Sequence, residues 1–510
     1  MTKINLPQAM LLPCWLGAIS IAVLFNHSLH AEQNTEATPL HISQQLLNNI
    51  LKTKGDFDAF DMAFKVGDEL FEHQFLAAEG VGANVGNGQR FSLIPRADLN
   101  KDQQWANHTP KRVTGPNAQS CDVCHGTPFG DGAGKVVMNN IRDPKHSGDI
   151  SQFINRQPPH IFGIGALQLL AQEMTTDLAN IKQQALVQAQ NSGQSVTLPL
   201  ASKGINFGSL TAHSNQTLNT AAISGLDADL LIKPIEWKGI TANIRAFVRD
   251  ASHNELGMQA TEITGDDVDG DGDGVVNELS VGDITAMVIY QAAQPRPTTN
   301  IELAKLGIIP ALSQKMLNQI KQGETAFNKA ACSACHQPSL TLNSAVFTEP
   351  SQHPLYRDSK FPAGQDPLQQ GVNPNQPIRF DLTKDLPDNI ITASDGSKTS
   401  FGNFETDDSG AAIVYLYGDL KRHDMGPALA EAIDEAGTGA ATFLTKELWG
   451  VGSTAPYLHD GRATTLAEAI DFHGGESAAS RKKHQALTKT EQNALIAFLN
   501  NLVLYKMAEE

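Results

Sequence analysis

Apolar residues recur at helical spacing near the end of the chain. Four of them follow the i, i+3, i+4, i+7 pattern of a single helix face: Leu495, Phe498, Leu499 and Leu502. Thr488 and Glu491 precede this run at the spacing of a capping box, in which each side chain bonds the other residue's backbone N–H. The pattern predicts an amphipathic closing helix.

A second segment repeats this arrangement. Thr465 and Glu468 form a capping box, and four residues follow at the same helical spacing: Leu466, Ala469, Ile470 and His473. The pair Gly474-Gly475 is expected to end the helix. The pattern predicts that His473 lies on a buried helix face, where a histidine is more often a core residue than a metal ligand.

The first 31 residues carry one long apolar run. It extends from Ala9 to Phe25, and Lys3 is the only charged residue before Glu32. This pattern predicts a secretory signal peptide over residues 1–31 and therefore a periplasmic protein. The alternative is an uncleaved membrane anchor, because the run is close to the lower limit of about 17 residues for a spanning helix. We favour export without a stable anchor.

Composition narrows the class of protein. The chain has 510 residues, 41% of them hydrophobic and 18% charged, which is typical of globular proteins with two or three domains. The formal net charge is −17. Such a field repels phosphate backbones and anionic lipid, so no nucleic-acid partner is expected.

Of the five cysteines, Cys14 lies in the predicted signal peptide, and the other four fall into two copies of the pattern CxxCH. The copies are Cys121, Cys124 and His125, and Cys332, Cys335 and His336. This is the attachment motif of c-type haem: two thiols add to the vinyl groups of one porphyrin, and the adjacent imidazole reaches the iron. A zinc site is the main rival, but its cysteine pairs usually lie about 15 to 20 residues apart. Here the pairs lie in different halves of the chain, which predicts two covalent haems.

Each motif follows a predicted helix that carries a glycine and an aromatic residue. Gly323 and Phe327 resemble the first helix of small cytochromes c, and Gly67 with Phe71 repeats the arrangement. A proline-rich break near 295–310 separates the halves. We therefore predict a mainly α fold of two cytochrome c-type haem domains, 32–300 and 312–510, with long loop insertions.

Longer motifs make the resemblance specific. The chain reads LKRHDMGPALAE from Leu420 and LWGVGSTAPYLHDGRATTLAEAIDFHGGES from Leu448. These segments resemble the di-haem oxidoreductases, which are related to the bacterial di-haem cytochrome c peroxidases and to MauG-type enzymes. With the GDELFEHQF stretch, the two CxxCH motifs and the closing helix, the resemblance covers roughly residues 60 to 505.

The resemblance implies that the two haems have different functions. In the family the N-terminal haem usually meets peroxide, and the C-terminal haem receives or stores electrons. Where the peroxidases carry a distal Met and MauG-type enzymes carry Tyr, this chain has His473. The resemblance therefore implies that His473 ligates the C-terminal iron opposite His336, with Met425 as the second choice.

The sequence gives fewer signals for the residues that would act on peroxide. Peroxide cleavage needs a group that moves a proton between the two oxygens. The segment after the first motif offers His160, Gln172 and Glu173. Gln172 and Glu173 are the predicted catalytic residues, since related peroxidases carry a Gln and a Glu after their first haem. The alternative is that both belong to the polar face of a helix.

An acidic loop predicts calcium binding. Asp267, Asp269, Asp271 and Glu278 fit the EF-hand loop pattern, and a second register uses Asp269, Asp271 and Asp273. Closely spaced carboxylates repel each other unless a divalent cation lies between them. The segment after Ser280 predicts an exiting helix, and an unoccupied acidic turn is the alternative.

The leading prediction is a periplasmic di-haem c-type oxidoreductase that reduces hydrogen peroxide. Its electrons would come from a small redox protein, a cytochrome c or a cupredoxin. Two alternatives stay open: an electron-transfer cytochrome without catalysis, and MauG-like oxidation of a protein or organic substrate. An open coordination position on one iron separates the enzymes from the electron-transfer protein.

Overall fold

A computed structural model gives the architecture of most of the chain. It describes residues 40–84, 90–91, 118–135, 139–142, 152–392, 398–434 and 436–506. The predicted signal peptide, residues 1–31, lies outside the described residues. None of the helices within these ranges combines the length and the apolar character needed to cross a lipid bilayer.

Helices form where apolar positions recur at helical spacing behind a capping side chain. Ser313, for example, accepts a hydrogen bond from the backbone of Met316 at the start of one helix. The helices are α1 (Gln44–Lys54), α2 (Asp56–Glu72), α3 (Ile164–Ser192), α4 (Ile244–Ala251), α5 (Thr261–Thr264), α6 (Val281–Ala292), α7 (Asn300–Lys305), α8 (Gln314–Lys329), α9 (Leu466–Asp471), α10 (Ala478–Gln485) and α11 (Lys489–Leu499). A π-helix, Ser252–Leu256, continues α4.

Short strands connect the helices. They are β1 (Ala83–Asn84), β2 (Arg90–Phe91), β3 (Asn139–Arg142), β4 (Phe153–Arg156), β5 (Val196–Ser202), β6 (Ile205–Ala212), β7 (Leu218–Asn219), β8 (Thr298–Thr299), β9 (Leu340–Leu342), β10 (Val346–Glu349), β11 (Ile378–Asp381), β12 (Ile390–Thr392), β13 (Lys398–Ser400), β14 (Ala412–Val414), β15 (Arg422–Asp424), β16 (Thr442–Leu444) and β17 (Leu502–Val503). β5, β6 and β7 form a three-stranded sheet, and the others pair two by two.

The prediction of a mainly α protein made of two cytochrome c-type domains is wrong. The structure is 37% helix and 15% strand, a mixed α and β fold. Stretches rich in Pro and Gly, which the sequence predicted as loops, close into antiparallel pairs. In β10 and β11, for example, Val346 faces Asp381 and Glu349 faces Ile378. Pairing satisfies backbone N–H and C=O groups that a buried loop would leave without partners.

Two large hydrophobic cores, with smaller clusters beside them, support the described part of the fold. The larger one includes Phe64, Leu170, Met287, Phe347 and Leu416, and so takes side chains from both sides of the proline-rich break. The smaller one is built mainly by α8 and α11 and their neighbours. The described residues all fall within one compact unit. The boundaries predicted for the two haem domains stay a prediction.

α2 and α6 cross at a glycine. A Cβ atom on Gly67 would lie 2.3 Å from the carbonyl oxygen of Ala286 and 2.6 Å from the Cβ atom of Tyr290, so only glycine allows this approach. Phe71, four residues further along α2, packs on the same tyrosine with ring centroids 5.5 Å apart. Gly67 and Phe71, the glycine and the aromatic residue predicted for the first helix, thus take part in a tight crossing of α2 and α6.

α8 and α11 repeat this crossing in the other half. A Cβ atom on Gly323 would lie 2.0 Å from the carbonyl oxygen of Ala494 and 2.6 Å from the Cβ atom of Phe498. Phe327 packs on Phe498 with ring centroids 5.5 Å apart. The two halves therefore share one local arrangement, in which Tyr290 and Phe498 occupy equivalent positions.

The predicted helices near the C-terminus are present, with shifted ends. The closing helix is confirmed as α11, with its capping box of Thr488 and Glu491. Leu502 lies beyond it in β17, which pairs with β8. α9 has the predicted capping box but ends at Asp471, so His473 follows the helix rather than lying within it.

Candidate functional site

The first CxxCH motif forms a tight turn against α2. The backbone N–H of Cys121 donates to Phe71 O at 3.1 Å, and the N–H groups of Cys124 and His125 both donate to Cys121 O at 3.1 Å. Nδ1 of His125 lies 3.2 Å from Gly132 O. Burial lowers the pKa of His125, so its ring is neutral, and an Nδ1–H donor leaves Nε2 as the metal-binding atom.

The second motif begins directly after α8. Ala331 has a left-handed backbone conformation, with φ of 60°, and Cys332–Ala334 forms a 3-10 turn. His336 Nδ1 lies 3.1 Å from Tyr417 O. Burial, and then the neighbouring His473, lower the pKa of His336 to about 4. This ring too is neutral, with Nε2 directed to metal binding.

The structure brings His473 opposite His336. Their ring centroids lie 6.3 Å apart, and the ring planes differ by 53°. His473 Nδ1 lies 2.8 Å from Ala469 O, and burial lowers its pKa. A bond between imidazole and a first-row metal is about 2.0 Å long, so one iron between two such rings holds their centroids roughly 6 Å apart. The spacing of the two histidines fits a haem iron.

One cavity contains both motifs. Its volume is about 700 Å³, within the usual range of cofactor sites. All seven predicted haem-binding side chains line it: Cys121, Cys124, His125, Cys332, Cys335, His336 and His473. Met425, the second choice of ligand, lines it as well. The residues of both motifs thus face one cavity.

The cysteines suit thioether attachment. Among the described residues they form no disulfide. Burial raises the pKa of Cys121 and of Cys124 to about 12, and the pKa of Cys332 to about 11. Burial therefore keeps these thiols in the neutral form.

Buried cations line the same cavity. Lys238 is 1% exposed, and its Nζ donates to Gly439 O and to Thr442 O at 2.8 and 2.9 Å. Arg156 is paired with Glu431, which also lies 3.5 Å from Lys238 Nζ. With two cations facing one buried carboxylate, this wall suits an anionic ligand, such as the propionates of a porphyrin.

The acidic groups of the N-terminal haem region come from α4 and the π-helix. Asp250, Asn254 and Glu255 line the cavity, and Glu255 Oε1 accepts a hydrogen bond from Asn139 Nδ2 at 2.8 Å. Burial raises the pKa of Asp250. The charge of Glu255 is among the causes that raise the pKa of Cys124. Sequence analysis missed these residues, because nothing in the pattern around Asp250 shows that it faces the first motif.

Gln172 and Glu173 lie elsewhere. Neither residue is among the described residues that line the cavity. Glu173 Oε2 accepts from Lys203 Nζ at 2.5 Å and from Asn343 Nδ2 at 3.0 Å, while Oε1 accepts from Ser344 N at 3.0 Å. These bonds join α3 to the turn between β9 and β10.

His160 and two tryptophans do face the cavity. His160 Nε2 lies 3.1 Å from the carbonyl oxygen of Trp449, and Trp237 Nε1 donates to Gln157 O at 2.7 Å. Burial lowers the pKa of His160 to about 4, so it lines the cavity as a neutral imidazole.

The acidic loop gathers three of its predicted ligands. Carboxylate oxygens of Asp269, Asp271 and Asp273 lie within 4.8 Å of one another. Asp267 instead exchanges hydrogen bonds with Asn277, and Glu278 Oε2 accepts from Gln259 N at 2.7 Å. The second register is therefore the one whose carboxylates converge. The exiting helix is α6, whereas α5 before the loop has only four residues.

Comparison with known proteins finds a family model that matches part of the chain. Residues 392–502 match the model of a family described as "Di-haem oxidoreductase, putative peroxidase". This match confirms the resemblance for that part of the chain. No curated protein sequence matches the chain. A solved structure, a MauG-like protein associated with microbial copper homeostasis, is 15% identical with a TM-score of 0.28; the alignment covers 57% of this chain and 77% of that one.

Proposed function

We propose that this protein is a periplasmic di-haem c-type oxidoreductase that reduces hydrogen peroxide with electrons from a small redox protein. The observation that carries the proposal is the single cavity lined by both CxxCH motifs together with the facing pair of His336 and His473. The family match over residues 392–502 supports the class of oxidoreductase.

Two sets of residues would hold the haems. Cys121 and Cys124 would carry the N-terminal haem, with His125 as its iron ligand. Cys332 and Cys335 would carry the C-terminal haem, held between His336 and His473. When bound, the haems supply irons that exchange electrons with peroxide and with the donor. The backbone carbonyls at each Nδ1 orient the rings, as partners of metal-bound histidines commonly do.

The chain itself must move the proton. Cleavage of peroxide requires a proton to pass from the near to the far oxygen. Asp250, Asn254 and Glu255 line the cavity with the first motif, and burial raises the pKa of Asp250. A buried carboxyl group can hold and release a proton in a site from which bulk water is largely excluded. We propose Glu255 and Asp250 for this role, with Glu255 as the leading candidate because Asn139 fixes its carboxylate.

His473 would also affect the reduction potential of the C-terminal haem. A second imidazole in place of a thioether favours the ferric state, so the C-terminal haem is expected to have a lower potential than a His/Met haem.

The proposal also includes a calcium ion. Asp269, Asp271 and Asp273 would hold it, and it would stabilise the protein.

The test is rapid mixing of peroxide with the purified protein. Oxidised and half-reduced samples are followed by stopped-flow absorbance, and cyanide and carbon monoxide binding are measured in parallel. We expect one haem to bind these ligands and to respond to peroxide. If neither form responds and neither ligand binds, both irons are closed, and the electron-transfer alternative replaces the enzyme.

A further inference from the structure

We propose that Tyr290 is a redox-active tyrosine of the N-terminal haem site, with Asp131 as its proton acceptor. This inference rests on the proposed reaction with peroxide and deepens it. It assigns a function to a buried cluster behind the first CxxCH motif.

The hydroxyl group of Tyr290 is not needed for packing. In the other half of the molecule, Phe498 occupies the equivalent position, against Gly323 and Phe327. There a phenyl ring fills the same space at the same 5.5 Å centroid distance. At the N-terminal crossing, Tyr290 contacts Gly67 and Phe71 in the same way but adds a hydroxyl group. The polar atom is therefore specific to the half whose haem is proposed to meet peroxide.

A buried carboxylate holds that hydroxyl. Tyr290 is fully buried, and its hydroxyl group lies 2.8 Å from both carboxylate oxygens of Asp131. Lys506 Nζ lies 2.9 Å from Asp131 Oδ2 and 3.4 Å from the Tyr290 hydroxyl. Burial raises the pKa of Tyr290 well above its ordinary value, so the phenol does not ionise by itself. Burial also raises the pKa of Asp131 to about 6, which suits a group that accepts a proton and returns it.

Aromatic rings connect this pair to the haem ligand. Phe71 lies between Tyr290 and His125, with ring centroids 5.5 Å and 6.0 Å away respectively. Asp131 also precedes Gly132, whose carbonyl oxygen faces Nδ1 of His125. The phenol, its proton acceptor and the iron ligand thus belong to one continuous buried cluster.

The step balances as follows. Reduction of one hydrogen peroxide molecule to two water molecules takes two electrons, and two protons from solvent. One electron would come from the Tyr290 ring by way of Phe71 and His125, and the second would come from the bound haems. The O–H bond of Tyr290 breaks, its proton goes to the Asp131 carboxylate, and a neutral phenoxyl radical stays on Tyr290. An electron from the donor protein later restores the phenol, as Asp131 returns the proton.

The test is electron paramagnetic resonance of the holoprotein, freeze-quenched after mixing with peroxide. We expect a tyrosyl signal whose hyperfine splitting collapses when ring-deuterated tyrosine is incorporated. Tyr290→Phe should lower the radical yield at least tenfold. The matched control is Tyr356→Phe, since Tyr356 is another buried tyrosine but bonds Thr175 and a backbone carbonyl rather than a carboxylate. Its yield should stay within twofold of wild type.

Asp131→Asn provides a second, independent variant. Asn tolerates the left-handed backbone at this position, where φ is 63°, and keeps an acceptor oxygen but takes no proton. We expect at least a tenfold loss of radical here as well. A wild-type yield in Tyr290→Phe overturns the proposal, and a wild-type yield in Asp131→Asn overturns Asp131 as the proton acceptor. If Tyr290→Phe does not retain two haems, the Asp131→Asn result decides the proposal. Haem spectra that respond to peroxide without a tyrosyl signal overturn Tyr290 alone, whereas haem spectra that do not respond overturn the proposed function too.

Discussion

Replacing Glu255 by Gln tests the proposed proton transfer most directly. Glu255 lies in the π-helix that continues α4, a kind of irregular helix often found at functional sites. Its Oε1 accepts from Asn139 Nδ2 at 2.8 Å, and the amide oxygen of Gln can accept the same bond. The substitution therefore keeps the shape and the hydrogen bond of the side chain and removes its charge and its ability to carry a proton.

The structure sets the expected size of the effect. A positioned general acid or base contributes about 10² to 10⁴ in rate. Asp250 lines the same cavity and can transfer part of the protons in place of Glu255, so we expect a loss at the lower end of that range. A loss of about 100-fold corresponds to about 2.7 kcal/mol of transition-state stabilisation. Stability should change by only about 1 kcal/mol, because the bond to Asn139 persists.

The assay is the second-order rate of the spectral change with peroxide, measured at equal haem content. Wild type is compared with Glu255→Gln, Asp250→Asn and Glu173→Gln. The last variant separates the two hypotheses, since the sequence predicted Glu173 while the structure ties it to Lys203 and Ser344. A 100-fold loss in Glu173→Gln, with Glu255→Gln within threefold of wild type, would refute the structural reasoning.

Three further outcomes are expected. The exported protein should retain two haems per chain after acid-acetone extraction, and Cys332→Ala should retain one; one haem in wild type contradicts the double attachment. His473→Ala should let the C-terminal haem bind cyanide, and unaltered binding would instead favour Met425 as the ligand. Gly323→Ala should destabilise the fold by about 1–3 kcal/mol in urea unfolding, because its Cβ atom would lie 2.0 Å from Ala494 O; an unchanged midpoint would show that α8 and α11 can separate without cost.

Local chemistry explains what the sequence could predict. Two CxxCH motifs predict covalent haem attachment, because the reaction of two thiols with one porphyrin demands that spacing. Capping boxes at Thr465 and Thr488 predicted helix starts correctly, because they depend on residues three positions apart. The sequence of the acidic loop did not decide which register binds calcium, because several alternating carboxylates fit the same pattern.

Only the tertiary structure decided which residues meet. His473 reaches His336 because the turn after α9 returns to the end of α8, a contact that no local pattern contains. Glu173 and Glu255 are both glutamates within helices, yet one bonds the turn between β9 and β10 and the other lines the cavity that contains both CxxCH motifs. The fold class was also decided there, because Pro- and Gly-rich stretches gain hydrogen-bond partners only by pairing with distant strands. Covalent chemistry and helix capping are properties of short segments, whereas a cavity is a property of the packed chain.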